Sequence, residues 1–433
     1  MSIIRQNLRN PLCYLLLIGL IARSALLIFR FEELTDDRDA YLGIAENLMQ
    51  GIGFCTSGSE LPTAFRPPLY PLLLAVVLKL GSSFGLAMLH LLMGAVTIWA
   101  TVRLGENLRL KQGAILAGFL VAIDPILLRY TTLPMTEVTF AGLTTVMLWL
   151  WSKADQKPSW NAYLLAGLSF GVALLCRPSL LPILAVYWVL AVVNSFNGFS
   201  RSDRIIKSTL CVILMGAAGM LVLFPWGVRN LIQFGHYKLT TTHGGYTLLL
   251  GNNPVFYDAV VRQPLGTTWG DYDSEDARSQ TSWVNKLNRQ LDEQGLVSEF
   301  DRDRAQYQLA LENIRAEPLT FLLACFLREI RYWSPVPIGP EARQINPIIY
   351  WCTALFYIGL YVMALYGVVV MLGQSENRRR FWLPALAMIL TFSIVHSIYW
   401  SNARMRAPLV PVIAMLAIYG LEKKLRLDEK FSL

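Results

Sequence analysis

Charge is what this sequence has least of: Asp, Glu, Lys and Arg make up 16% of its 433 residues, while 54% are hydrophobic. Soluble globular domains carry about 25% charged residues, so the balance marks an integral membrane protein. Histidine is scarce, at four residues, and the six cysteines (Cys13, Cys55, Cys176, Cys211, Cys325 and Cys352) show no CxxC spacing. Neither a zinc site nor a disulfide framework is indicated, and four of these thiols lie in apolar runs, where they act as small hydrophobes. There is no internal repeat and no low-complexity segment, which gives little support to a transporter built from two equal halves. The net charge of +8 falls in short basic clusters between apolar runs and not along one face. It reads as membrane orientation, and no nucleic-acid partner is expected.

What is present in quantity is apolar chain. A hydrocarbon core about 30 Å thick takes about 20 helical residues. Ten runs are expected to span: 12–29, 85–104, 113–129, 134–151, 160–175, 179–194, 208–226, 347–372, 381–399 and 406–421. The first follows Arg5 and Arg9 but lacks a small-x-small cleavage site, so it is expected to stay as a span. Two further runs suit helices in the interface: 69–80 is short, and 318–333 carries Arg328, Glu329 and Arg331 in its last half. With an inside N-terminus, ten spans put Arg5 and Arg9, Arg103 to Lys111, Lys153 and Lys157, Arg201 to Lys207, Arg378 to Arg380 and the C-terminal lysines on the cytoplasmic side. If both doubtful runs spanned, three of those clusters would move outside. The fold class expected is thus an all-α polytopic membrane protein with about ten transmembrane helices. It divides into an N-terminal seven-span module (1–226, with outer loop 30–84), a long outer stretch (227–346), and a C-terminal three-span bundle with its tail (347–433). Cys55 and Cys325 both fall on the outer side, which leaves one bridge between them open.

The first outer loop, "LTDDRDAYLGIAENLMQG", sets three aspartates in four positions beside the membrane. From Asp39 to Met49 the residues Tyr41, Ile44, Ala45 and Leu48 form one helical stripe, ending at Gly51 and Gly53. Asp36 and Asp37 stand where carboxylates cap a helix and complement its dipole, so capping alone accounts for either of them. Further on, "PTAFRPPLYPLLLA" places Arg66 before a double proline that fixes an extended turn. Near the hydrocarbon an ionisable side chain is a functional candidate, and Glu137 in "LPMTEVTF" qualifies, although it also stands at a helix start. Arg404 and Arg406 sit at a span end, where arginines also reach for lipid head groups. His243 in "THGGY" and His396 are weaker candidates. Arg177 before Pro178 reads as a turn residue. Trp226, Trp333, Tyr399 and Trp400 read as interfacial anchors.

The order of these features resembles the GT-C type of membrane glycosyltransferase, the family of protein O-mannosyltransferases and lipid A aminoarabinose transferases. The residues that carry the resemblance are Asp37, Tyr41, Arg66, Pro67, Pro68, Tyr70 and Pro71, then Glu137, the segment "RNLIQFGHYKLTTTHGGYTLLLGNNP", and "NARMRAPLVPVIAMLA". The resemblance implies GT-C architecture with outer-face interfacial helices. It implies a sugar donor carried on a polyprenyl phosphate and an acceptor that is a lipid, a glycan or a protein, with membrane lipids as surroundings. It also implies a bacterial inner membrane with both termini cytoplasmic and the site on the outer face. Many relatives carry an Asp-Glu pair at the first motif, where this chain has Arg38 after Asp37, so the second acid is Asp39 or Asp36. No cofactor is required by the resemblance, and a divalent cation stays open because relatives differ.

Glycosyl transfer from a lipid phosphate needs a general base and cations for the departing phosphate. By resemblance Asp37 is the expected base, with Glu137 and Asp39 as further acids. Arg66, Arg404 and Arg406 are the candidates for phosphate, because a guanidinium can hold phosphate oxygens through two parallel hydrogen bonds. Tyr41, His243 and His396 are candidate substrate contacts. A single displacement would invert the anomeric centre. No Walker-type loop or nucleotide-binding glycine pattern occurs, which disfavours a nucleotide-sugar donor. The competing expectation is a transporter or flippase of lipid-linked sugars. It would gather charge at the bilayer midplane, where this sequence has only Arg23.

Overall fold

The computed structural model describes residues 11–195 and 201–431. Among these the regular elements are helices, with one isolated bridge between Cys55 and Pro62. Helix α1 (Pro11–Phe29) leads to the short α2 (Tyr41–Met49). Helix α3 (Leu69–Asn107) is broken at Gly81 and Ser82, where Ser82 has φ 51°, so residues 69–80 form a separate arm. Then come α4 (Gly113–Ala122), α5 (Pro125–Arg129), α6 (Glu137–Gln156), α7 (Trp160–Cys176), α8 (Ile183–Asn194) and α9 (Arg201–Phe234). The long stretch that follows holds α10 (Gly244–Gly251), α11 (Gln280–Glu293), α12 (Glu299–Ala316) and α13 (Pro318–Tyr332). Helices α14 (Pro347–Leu372), α15 (Leu383–Ile398) and α16 (Val410–Phe431) close the chain.

Each of the ten runs expected to span falls on a helix. By length and hydropathy, however, six described helices are long and apolar enough to cross a membrane, and α4 with the bent turn after Pro125 makes a seventh. Helices α7 and α8 are apolar but shorter. Helix α6 carries less apolar surface because it is enclosed: Glu137, Phe140, Thr144, Met147, Trp151 and others along it are buried against protein. A helix wrapped by its neighbours has no need of a lipid-facing coat. Small residues allow the close approaches of the bundle. A Cβ on Gly171 of α7 would stand 2.7 Å from the Gly219 carbonyl of α9.

The bend between α4 and α5 is 43° and has a specific cause. Asp124 stops α4 and caps α5 by accepting from the Leu127 amide at 2.9 Å, while Tyr357 of α14 donates to its other oxygen at 2.9 Å. The carbonyls freed at the end of α4, Val121 and Ala122, accept from the buried Arg23 at 3.4 and 3.0 Å. Broken backbone at membrane depth persists only where protein satisfies it, and Arg23 and Asp124 do so here.

The connections sort into two ends. At one, Asp39 meets Arg404, Glu33 meets Arg129, Thr63 meets Glu299, and the Trp400 amide meets the Thr247 carbonyl. At the other, Asn107 meets Ser152, the Gly113 amide meets Glu422, and Arg109 lies over Phe381. Every segment expected outside belongs to the first group, and the described segments expected inside belong to the second. Arg5 and Arg9, and the side chains of Arg201, Arg204, Arg426 and Lys430, lie outside the described residues.

One expectation needs correction, and one open possibility is closed. Trp226 and Trp400 are not free interfacial anchors: Trp226 is buried, donates to the Thr240 carbonyl and packs on Phe54, while Trp400 packs between Phe256 and Trp269. The long outer stretch forms its own apolar core, and Trp400 packs against it. The six cysteines are all free, so the possible bridge between Cys55 and Cys325 is not formed.

Candidate active site

Helix α2 begins after Ala40, whose φ of 58° turns the chain sharply, and the three aspartates divide between different tasks. Asp36 pairs with Arg38 at 2.7 Å in the exposed loop. Asp37 accepts from the amides of Leu42 at 3.0 Å and Gly43 at 2.9 Å, one through each oxygen. Its carboxylate thus sits on the first turn of α2, where the helix dipole favours negative charge. Asp39 points elsewhere, toward Arg404 at 3.3 Å and Arg66 at 3.8 Å. Tyr41 lies under the Arg66 guanidinium at 5.2 Å and meets Tyr70 edge-on at 5.2 Å. The Tyr70 hydroxyl is 2.9 Å from Nε2 of His90, and Nδ1 of His90 is 2.8 Å from the Thr131 carbonyl. Only a donor can face that carbonyl, so Nδ1 bears the hydrogen and Tyr70 donates to Nε2.

Glu137 stands at the first turn of α6, fully buried. Its Oε1 accepts from Arg177 at 2.7 Å and lies 3.7 Å from Nε of Arg404. Arg177 also donates to the Thr136 hydroxyl at 2.6 Å. It is therefore not a free turn residue but a guanidinium folded inward, a role that its place before Pro178 did not reveal. Burial works against the charge of Arg177, but Glu137 outweighs it and holds its pKa above the usual value. Asp39, Arg66, Glu137, Arg177 and Arg404 thus form one network of three cations and two carboxylates, drawn from five separate segments. Arg66 Nε, Arg404 Nε and Glu137 Oε2 are buried there without a hydrogen-bond partner. Buried polar atoms left open are costly, so an orphaned group at a charged site marks a place for a ligand.

The loop that carries Arg66 is gripped from outside. Glu299 at the start of α12 accepts from the Thr63 hydroxyl at 2.9 Å and the Ala64 amide at 2.6 Å. Arg229 donates to the carbonyls of Thr63 at 2.7 Å and Phe54 at 2.9 Å, and the Thr242 amide reaches the Ala64 carbonyl at 3.1 Å. His243 follows, its ring 4.2 Å from that of Phe65. Burial, with the Arg66 charge behind it, pushes His243 well below the ordinary histidine value, so it is neutral. No local pattern marks this clamp, because its parts lie far apart along the chain.

Beside the network opens a cavity of about 960 Å³. Arg30, Arg129, Arg331, Arg404 and Arg406 line it with Trp269, Tyr130 and Trp400, and Glu33 is its one lining carboxylate. Pro125, Ile126, Leu133 and Ile349 make an apolar wall. The adjoining start of α14 is strongly exposed at Ile348, Ile349 and Trp351, so this wall continues onto the outer surface of the bundle.

Of the nine expected site residues, the structure brings Asp39, Tyr41, Arg66, Glu137 and Arg404 together, with Asp37 on the adjoining helix turn and His243 against the Arg66 loop. Arg406 lines the cavity but is 1% exposed and donates to the Tyr332 and Ser334 carbonyls, which makes it chiefly a brace. His396 stacks on Tyr332 at 5.2 Å inside α15 and does not line the cavity. Among the described residues no group of three or more His, Cys, Asp or Glu side chains is arranged to hold a metal ion.

Residues 65–228 match the family model of dolichyl-phosphate-mannose-protein mannosyltransferases, a span that includes Arg66, Glu137 and Arg177. No curated protein matches the chain in sequence. Among solved structures, the oligosaccharyltransferase AglB from Archaeoglobus fulgidus, in complex with an inhibitory peptide and a dolichol-phosphate, aligns with 97% of this chain and 51% of its own. The TM-score is 0.53 and the identity 15%. The same oligosaccharyltransferase in complex with Zn and sulfate aligns over 96% of this chain and 50% of its own, at TM-score 0.53 and 16% identity. ArnT from Cupriavidus metallidurans bound to undecaprenyl phosphate aligns over 93% and 77%, at TM-score 0.40 and 12% identity. This chain spans about half the length of the oligosaccharyltransferase it matches. The mannosyltransferase model thus matches the first spans of the chain, and its fold is that of the oligosaccharyltransferase over nearly all of its length.

Proposed function

We propose that the protein transfers a sugar from a polyprenyl-phosphate donor to an acceptor at the surface of the membrane. The observation that carries this reading is the network of Asp39, Arg66, Glu137, Arg177 and Arg404 beside a large arginine-lined cavity with an apolar wall. A lipid tail fits the wall by α5 and α14, and the phosphate then meets Arg404. AglB, whose fold the chain shares, was solved with a dolichol-phosphate, which favours the same class of donor here.

In this reading the acceptor nucleophile attacks the anomeric carbon as the bond from that carbon to the phosphate oxygen breaks. The lipid phosphate leaves as an anion held by Arg404 and Arg66, and the acceptor's proton passes to a carboxylate. Asp37 suits that last task best. Asp39 and Glu137 are engaged by arginines, whereas Asp37 makes no ion pair among the described residues and is oriented by two backbone amides. A single displacement of this kind inverts the sugar. The site end faces outward under the positive-inside rule, in keeping with an inner-membrane enzyme. The flippase alternative finds some support in the bent α4–α5 pair, but Arg23 and Asp124 there are committed to closing the break.

The test is turnover by the purified full chain in lipid nanodiscs, with polyprenyl-phosphate sugars and lipid, glycan and peptide acceptors. Transfer that disappears in the folded Asp37→Asn variant supports the proposal. Transfer that survives it removes the base assignment, and translocation of intact donor without transfer replaces the enzyme with a flippase.

A further inference from the structure

Six arginines line the cavity against one lining carboxylate, Glu33, and the partners of each can be traced. Arg30 and Arg129 both reach Glu33, at 2.8 and 2.6 Å. Arg38 is paired with Asp36, and Arg404 with Asp39. Arg406 rests on two carbonyls and on the Tyr357 ring, whose hydroxyl is bonded to Asp124. Arg331, in the last turn of α13, lacks a carboxylate as Arg406 does, but it is only part-buried, whereas Arg406 is enclosed at 1% exposure. It donates to the Thr267 carbonyl, and no carboxylate lies within ion-pairing distance of it among the described residues. The acid nearest to it in effect, Asp271, is taken by Arg343 at 3.0 Å. Arg328, three residues earlier on the same helix, adds repulsion, and burial with that repulsion lowers Arg331 to about 10. A guanidinium in the last turn also complements the helix dipole, but that accounts for a charge at the helix end and not for one held in a cavity wall without a counter-ion.

We propose that the Arg331 end of the cavity is an anion subsite, which takes a second negatively charged group of the substrate in addition to the phosphate held at Arg404. The inference rests on the donor reading above and narrows it. Two sources supply such a group: the far phosphate of a diphosphate-linked lipid, or an acidic group on the sugar of a monophosphate-linked one.

The measurement is competition binding to the full chain in nanodiscs of neutral lipid, using a labelled polyprenyl phosphate. The competitors are unlabelled polyprenyl phosphate, the diphosphate of equal chain length, and polyprenyl-phosphate sugars with and without a carboxylate. One doubly anionic competitor should bind roughly tenfold more tightly than its singly anionic counterpart, as expected for a charge-assisted contact. Arg331→Gln should abolish the difference between doubly and singly anionic competitors, while Arg331→Lys, which keeps the charge and controls for folding, should retain most of it. Which competitor gains identifies the source. If the monophosphate binds but neither doubly anionic competitor gains, or if the gain survives Arg331→Gln, the subsite is refuted and the donor reading stands. If no lipid phosphate binds, both fall together.

Discussion

Asp37 and Asp39 are two residues apart and differ in what holds them: one is fixed by backbone amides, the other by two guanidinium groups. Under the proposed function this contrast predicts different phenotypes for the two sides of the network. Asp37→Asn should lower turnover by at least about a hundredfold, the usual scale for a lost general base, with donor affinity nearly unchanged. Arg404→Gln should instead weaken polyprenyl-phosphate binding by roughly ten- to a hundredfold, because it removes charge-assisted bonds, and a binding isotherm distinguishes the two variants. His243 offers a pH test. Its folded pKa is depressed, so the unfolded chain takes up a proton that the folded one refuses. The sign follows: stability is unaffected above the ordinary histidine value and falls as pH drops below about 6.5, by up to about 1.4 kcal/mol per unit. Melting curves at pH 8 and pH 5.5 should show this loss reduced in His243→Gln. The sequence exposed these acids and Arg66 because short motifs carried them. It hid the pairing of Asp39 with Arg404 and of Glu137 with Arg177, because long-range partners leave no local pattern.

Helices were the most legible level, since apolar runs of membrane length admit few other structures. What remained hidden was the reason for their interruptions. The bend at Asp124 and the burial of Arg23 solve one backbone problem between them, yet in the sequence Arg23 stands as a lone charge in a greasy run. The grip of α12 on the Arg66 loop was equally hidden. Glu299→Ala removes the acceptor for the Ala64 amide and the Thr63 hydroxyl, so hydrogen exchange at Ala64 should accelerate at least tenfold. Donor KM should rise along with it, while α12 itself remains folded. Unchanged exchange at Ala64 would mean that Arg229 and Thr242 suffice to hold the loop. At the α7–α9 contact, Gly171→Val would drive its side chain into the Gly219 carbonyl and Val222. A loss of about 1–3 kcal/mol in reversible denaturation is expected.

For the molecule as a whole, the alternation of its connections between two ends agrees with the charge pattern, and it can be measured. In a background without native cysteines, Glu60→Cys and Glu275→Cys should react with an impermeant maleimide added from one side of sealed membranes. Lys153→Cys and Asn377→Cys should react only from the other. All four positions are exposed, so accessibility reports sidedness and not burial. Labelling of Glu60→Cys and Glu275→Cys from opposite sides would break the ten-helix alternation. A length-and-hydropathy count gives six or seven spans where the sequence suggests about ten, because helices enclosed by the bundle, such as α6, carry less apolar surface.

The contact between Asp39 and Arg404 joins residues 365 positions apart. A ribosome therefore releases Asp39 long before its counter-charge exists, and all the helices between the two must be made before the pair can close. A chain stopped short of residue 404 would hold Asp39 and Glu137 without the guanidinium that joins them, so the network cannot close while that segment is missing.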